Sequence, residues 1–250
     1  MSQTSGGGVW KDPAQSKNFL QGTRAAIPLA LEQLDMIGRV AGMAVSKPER
    51  ILDLGCGGGE LGLYLLERYP EAFCLFTDFS ETMLDAAQER IRQAGAKGEA
   101  MKLDFSAPEW VEYARPHGPF DIILSGFAIH HQSRERKIGV YGEVYSLLRP
   151  DGLFLNLENV SSPTEKLSRF FEKTFVDALV KSREAKGLPA DREKLFREWK
   201  PRRDEDLIMT SSMEEQLSWL VDIGFSNVDC YFKYLEFALF GGQKPGGAAE

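Results

Sequence analysis

Short apolar runs alternate with helical patterns through residues 51–157. Residues 51–54, 73–77, 120–124 and 153–157 are each a brief run rich in Ile, Leu or Phe, and 98–103 is a weaker run carrying Ala100, Met101 and Leu103. Runs this short, bounded by Gly, Pro or Asp, predict buried strands. Between them, residues 60–68, 81–93 and 135–148 carry apolar positions at helical spacing. Ser80 is placed as an N-cap for the second of these helices, and Gly95 stops it. A leading helix is predicted over 18–45, with Pro28 near its start or at a kink. Its apolar face is Ile27, Leu29, Leu31, Leu34, Ile37 and Val40.

The rhythm changes after residue 160. Residues 161–211 contain no convincing strand but place Phe170, Phe171, Phe175, Phe196 and Trp199 at helical spacing. An inserted helical pair is expected, forming a cap over the sheet's C-terminal edge. Ser212 and Glu215 fit a capping box opening a helix to about residue 222, which Gly224 ends. Residues 228–231 and 234–240 are two strands too close together for a crossover helix, so they pair antiparallel. Strands and helices in this order predict an α/β fold: a Rossmann-like doubly wound sheet of seven strands, mostly parallel with an antiparallel C-terminal strand. The expected organisation is a disordered tail over 1–17, a single domain over 18–241 with the cap inserted, and a flexible tail over 242–250.

Composition narrows the function. The chain has 250 residues and a formal net charge of -7. Phosphate affinity needs clustered Lys and Arg, so no strong nucleic-acid signal is present. No apolar run approaches the roughly 18–20 residues that span a membrane, and the N-terminus lacks a signal peptide's apolar core. Cys56, Cys74 and Cys230 lie far apart, without CxxC or zinc spacing. They read as reduced thiols of a cytoplasmic protein, and no metal is expected. A homodimer stays open.

The candidate chemistry sits where strands end. In an open parallel sheet, ligands bind beyond the C-terminal ends of the strands at the switch point of strand order. Here the strands end at a glycine cluster from Gly55 to Gly62, at Asp78, at Asp104, and at the stretch from Ser125 to His131. Glycine permits positive φ and close approach of a ligand to backbone. Gly57, Gly59 and Gly62 also satisfy the dinucleotide pattern GxGxxG, with Asp78 near the ribose-binding position. Three features point elsewhere: Asp53 inside the strand below the turn, the second acidic strand end at Asp104, and the closing antiparallel pair.

The stretch Asp53-Leu54-Gly55-Cys56-Gly57-Gly58-Gly59 resembles motif I of class I S-adenosylmethionine (SAM) methyltransferases. Asp78 matches that family's acid on the ribose hydroxyls, Asp104-Phe105 its adenine-contacting pair, and residues 147–152 its turn before strand five. The resemblance covers about residues 49–241 and implies SAM as cofactor, with S-adenosylhomocysteine as product. Within the superfamily the chain looks like the small-molecule branch, which includes quinone-biosynthesis methylases and carboxy-SAM synthases. Ile27-Pro28 and Tyr231-Phe232-Lys233-Tyr234 look most like the latter group, whose glycine loop differs from Gly57-Gly58-Gly59-Glu60.

The resemblance implies a cofactor site of Asp53, Gly55, Cys56, Gly57, Gly59, Asp78, Phe79, Met83, Asp104, Phe105 and Ser125. Asp53 holds the loop or, through water, the methionine ammonium; Asp78 takes the ribose hydroxyls; Met83 packs on the adenine. The methyl already sits on a sulfonium, so the implied reaction is in-line transfer to a small organic acceptor, driven by orientation and a dry site. A base is needed only if the acceptor must lose a proton. His130 and His131 are the catalytic candidates, histidine being suited to that role near neutral pH. A carboxy-SAM synthase-like enzyme, a non-catalytic SAM-binding module and a dehydrogenase are the alternatives. His117 reads as solvated, residues 192–206 as a solvated charged helix face, Phe170, Phe171, Phe175 and Trp199 as cap core, and Arg24 as a candidate facing the pocket.

Overall fold

Side chains along the central strands divide by alternation between two buried faces. Ile51, Cys74, Phe76, Ile122, Leu124, Leu153, Leu155 and Leu157 point to one core; Leu52, Leu54, Leu75, Ile123 and Phe154 point to the other. This is the period of two expected of strands covered on both faces. The computed structural model describes residues 27–207 and 209–246.

The strands are β1 (Arg50–Leu54), β2 (Phe73–Asp78), β3 (Gly98–Lys102), β4 (Phe120–Gly126), β5 (Leu148–Asn159), β6 (Ser226–Tyr234) and β7 (Phe237–Gln243). They form one seven-stranded sheet in the order β3-β2-β1-β4-β5-β7-β6. The first five are parallel, and β7 runs antiparallel to both β5 and β6. Strand order reverses between β1 and β4, which makes their C-terminal ends the switch point. The helices are α1 (Ala30–Ala44), α2 (Glu60–Arg68), α3 (Glu81–Ala94), α4 (Trp110–Ala114), α5 (Arg134–Leu147), α6 (Glu165–Ala185), α7 (Arg192–Leu207) and α8 (Met213–Ile223). Residues from α1, α2 and α3 fill one core, and residues from α4, α5 and α8 fill the other.

The predicted architecture holds, and the differences have local causes. Helix α1 buries Gln33, Ile37, Gly38, Val40 and Ala41, whereas Leu31 is 78% exposed and Leu29 sits in a left-handed N-cap conformation. The expected apolar face is thus carried by its second half. Residues 18–26, with Arg24, lie outside the described residues. Strand β5 begins at Leu148, because the Arg-Pro-Asp-Gly turn is absorbed as an irregularity opposite Phe120 and Ile122. Strand β7 runs through Gln243, past the boundary expected at 241. Lys244 then donates to the Tyr145 and Leu148 carbonyls at 3.0 and 2.8 Å. The Ser212–Glu215 capping box forms as predicted, an arrangement that contributes about 1 kcal/mol. Ser80 occupies its N-cap position, but its side chain makes no cap bond.

The cap is α6 with α7. Phe171 and Phe175 pack with Phe237 in a small core, and Trp199, Phe127, Tyr234, Leu235, Leu179 and Ile27 border it. Phe170 is 54% exposed and lies outside this core, because it faces away from its neighbour Phe171 on the helix. Arg203 departs from the solvated face expected of 192–206. It is buried, with its guanidinium on Glu172, Ser168 and both oxygens of Glu236.

Candidate functional site

The turn after β1 is built from three glycines at positive φ, and the space around each differs. Gly55 (φ 69°) lies against Ala128 and Phe105; a Cβ there would sit 2.4 Å from the Ala128 Cβ. Gly59 (φ 81°) packs on Phe76 and Ala87. Gly57 (φ 52°) is open: within 4 Å an added Cβ would meet only the Met83 sulfur, at 4.0 Å. Gly62, the third glycine of the dinucleotide pattern, is a packing residue. A Cβ there would lie 2.4 Å from the Phe76 ring, and its N–H donates to Asp53 Oδ2 at 2.9 Å. The buried Asp53 therefore ties the start of α2 to the strand beneath it.

Asp78 closes the same turn from β2. Its Oδ2 accepts from the Gly57 N–H at 3.0 Å and its Oδ1 from the Ser80 N–H at 2.9 Å. A carboxylate accepts about four hydrogen bonds, so further acceptor capacity remains. Burial pushes the Asp78 carboxyl above its ordinary range; the Ser80, Gly57 and Phe79 amides pull it back, and Asp104 adds to the rise. Met83 is buried beside Gly57, and Phe79 is half-buried. Asp104 is exposed and accepts from the Ser106 N–H at 2.9 Å, while Phe105 is buried with its carbonyl held by Arg136 Nε at 2.8 Å.

Two candidates are committed to holding the site's floor. The Ser125 hydroxyl, fully buried, donates to the Leu54 carbonyl at 2.7 Å and fastens β4 to β1. The Cys56 N–H donates to the Thr77 carbonyl at 2.8 Å, and burial raises its thiol pKa well above the usual value. A neutral buried thiol is a poor nucleophile.

The loop after β4 brings the histidines. Phe127 takes a left-handed conformation (φ 52°), and its N–H donates to the Leu157 carbonyl at 2.7 Å. Such backbone costs about 1–3 kcal/mol in a residue with a side chain and tends to cluster at functional sites. It turns the chain into the short helical turn Ile129–His131. His130 is buried; its N–H donates to Glu158 Oε1 at 3.0 Å, and its Nδ1 lies 2.5 Å from Glu158 Oε2. The rings of His130 and His131 are 3.9 Å apart. Glu158 escaped the sequence reading; the signal was an acid directly following the apolar run of β5.

These elements meet at the switch point. Leu54 pairs with Ser125 across β1 and β4, and Gly55 touches Ala128. The open backbone at Gly57 lies beside the Asp78 carboxylate and the Met83 side chain, and a Cβ at Gly57 would enter the space between the turn and the Met83 sulfur. Residues 51–152 match the family model described as a methyltransferase domain. The chain carries a methyltransferase domain. SAM is the cofactor of this kind of domain.

Relatives agree on the domain. A carboxy-S-adenosyl-L-methionine synthase from Nitratiruptor sp. is 23% identical over 221 residues, 86% of this chain and 84% of that protein. A demethylmenaquinone methyltransferase from Thermus thermophilus is 33% identical over 139 residues, 56% of this chain and 54% of that protein. Among solved structures, an O-methyltransferase family protein from Burkholderia thailandensis superposes with a TM-score of 0.68 at 17% identity, covering 96% of this chain and 62% of that one. The chain thus spans about half to four-fifths of these relatives' lengths. Among the described residues of the methyltransferase domain and its flanks, no helix is long and apolar enough to cross a membrane.

A pair of substitutions separates site from scaffold. Gly57→Ala is expected to fold, with about 1–3 kcal/mol lost to left-handed strain, and to weaken SAM binding because its methyl enters the space beside Met83. Gly62→Ala is expected to lower the melting temperature, because Phe76 must move. Thermal melts with and without SAM check this: Gly57→Ala loses the SAM-induced rise, and folded Gly62→Ala keeps it.

Proposed function

We propose that this chain transfers the methyl group of SAM to a small organic acceptor, with His130 as the general base. The observation that supports the reading is that the glycine turn closed by Asp78 packs on Ala128, two residues before a buried histidine whose Nδ1 is held by a carboxylate. When bound, SAM supplies an electrophilic methyl on a sulfonium. In this reading Asp78 accepts from the ribose hydroxyls, Gly57 lets the backbone approach, Met83 packs on the adenine, and Asp104 with Phe105 borders the base. Glu158 on Nδ1 orients the His130 ring for its role as the base. The aromatic cap excludes water. We place the protein in the cytoplasm because its three cysteines are free thiols.

Incubation with methyl-labelled SAM and a panel of small hydroxylated and aminated compounds tests this. Labelled product is expected, with His130→Gln and Glu158→Gln each about 10²–10⁴-fold slower. Turnover unchanged in both variants removes the base assignment. A second reading, an enzyme that remodels SAM itself, is favoured by the match to the carboxy-SAM synthase along 86% of this chain. Mass spectrometry of the co-purified nucleotide separates the two: SAM or its demethylated form supports methyl transfer, and a carboxylated SAM supports the second reading.

A further inference from the structure

Helix α3 lays one stripe of side chains along the glycine turn. Met83, Ala87 and Arg90 stand at i, i+4 and i+7 and so share a helical face. Each meets a different glycine. A Cβ on Gly57 would lie 4.0 Å from the Met83 sulfur, and a Cβ on Gly59 would lie 3.5 Å from the Ala87 Cβ. Arg90 reaches the glycine between them, and its Nη1 donates to the Gly58 carbonyl at 3.0 Å. The same nitrogen donates at 2.6 Å to Oε1 of Glu60, the residue that opens α2. Arg90 and Glu60 are both half-buried. Arg92, two residues along, shows the solvent alternative: it pairs with Glu89 on its own helix, and both side chains are exposed.

The turn has reason to need such a hold. Gly55, Gly57 and Gly59 take positive φ, and glycine loses more conformational freedom on ordering than any other residue. Asp78 fixes one end of the Gly57–Gly58 unit by accepting from the Gly57 N–H at 3.0 Å. Arg90 fixes the other end at the Gly58 carbonyl. The Arg90 bond is charge-assisted, and such bonds are roughly twice as strong as neutral ones. Glu60 keeps the guanidinium within reach of that carbonyl. An ion pair open to solvent contributes little by itself, so the bond to the backbone is the one with consequence.

We propose that Arg90 is a positioning residue for the cofactor: by holding the Gly58 carbonyl it keeps the glycine turn in the conformation that receives SAM. Arg90 touches no reacting atom and acts through the backbone of the turn. A turn already ordered loses no further freedom when the ligand binds, so the hold is read out as affinity. The proposal rests on the glycine turn being the SAM site.

The test is a calorimetric titration with SAM of the wild-type chain, Arg90→Met, Glu60→Gln and the double variant. Arg90→Met keeps the apolar stem but no donor, and is expected to bind SAM about tenfold more weakly. Glu60→Gln leaves Arg90 on the carbonyl and is expected to stay within about twofold of wild type. The double variant is expected to bind as weakly as Arg90→Met. Wild-type affinity in the double variant would trace the loss to an unpaired Glu60 and overturn the action through Gly58. Wild-type affinity in folded Arg90→Met overturns the proposal too, because a purely structural arginine shifts the melting temperature alone. Should Arg90→Met not fold, Arg90→Gln, whose amide is too short to span to the turn, takes its place with the same expectation. Without ligand, hydrogen exchange at the Gly59 amide, which donates to the Cys56 carbonyl at 2.8 Å, is expected to quicken about tenfold in Arg90→Met. Unchanged exchange overturns the hold on the turn. A wild-type chain that binds no SAM overturns the cofactor reading beneath the proposal, whereas wild-type binding with unmoved variants overturns the proposal alone.

Discussion

Replacing Asp78 by alanine is expected to weaken SAM binding about 10–100-fold in a calorimetric titration, tenfold corresponding to about 1.4 kcal/mol. Hydrogen bonds to a charged acceptor contribute about 1.5–3 kcal/mol each. The Asp78 carboxylate has capacity beyond the Gly57 and Ser80 amides it already accepts. Alanine also frees the Gly57 amide and loosens the turn. Asp78→Asn retains one acceptor oxygen and is expected to lose less. Unchanged affinity in Asp78→Ala would remove this residue from the cofactor site.

The same residue gives a pH signature. Burial raises the Asp78 pKa, so the folded protein favours the protonated form more than the unfolded chain does. Unliganded stability therefore declines as pH rises from the ordinary carboxylate range through the raised folded value. Ribose hydroxyls bond the ionised form, so SAM binding draws the pKa back down and releases a proton in that window. Affinity is expected to fall as pH drops through the raised value.

Arg203→Met is expected to open the cap. Arg203 bridges α7 to Glu236 on the link between β6 and β7, and it stacks over Phe171 and Trp199 at 5.5 and 5.6 Å from their ring centroids. Glu236 also accepts from the Ser162 hydroxyl at 2.6 Å, and its carbonyl accepts from the Val160 N–H. Removing one partner of a buried pair costs about 3–5 kcal/mol, because the remaining charge stays uncompensated. The cap can relieve this by opening. Hydrogen exchange across α6 is expected to rise about 10²–10³-fold while the sheet stays protected. SAM affinity should change little, since the glycine turn and Asp78 sit at the sheet's ends. Arg203→Met with Glu236→Leu should restore protection, since the buried charge is then gone. Unchanged exchange in the single variant shows that the pair does not hold the cap.

The strands, the glycine turn and Asp78 were legible in the linear chain because each is a local signal. Apolar runs meet turn residues at fixed offsets, and a carboxylate follows a strand at a topologically defined edge. Helix α2 begins at Glu60 and ends at Arg68 as the pattern predicts. The capping box at Ser212 is equally local. The glycines were legible as a group but not as individuals. Gly55, Gly57 and Gly59 share positive φ, yet only the folded chain shows that Gly57 is open while Gly55 and Gly59 are packed against neighbours.

The sequence by itself determined the α/β order, the positions of the strand ends and the glycine turn after β1, because these follow from periodicity and from residues a few positions apart. Tertiary structure alone decided which polar side chains are buried and with whom. His130 finds Glu158 at 28 positions' separation, Lys137 finds Met209 at 72, and Arg203 finds Glu236 at 33. The lysine, the arginine and both glutamates look solvated in the linear chain, and the histidine lacks its partner. Burial and pairing arise from packing between distant elements, so only the assembled sheet and cap could reveal them.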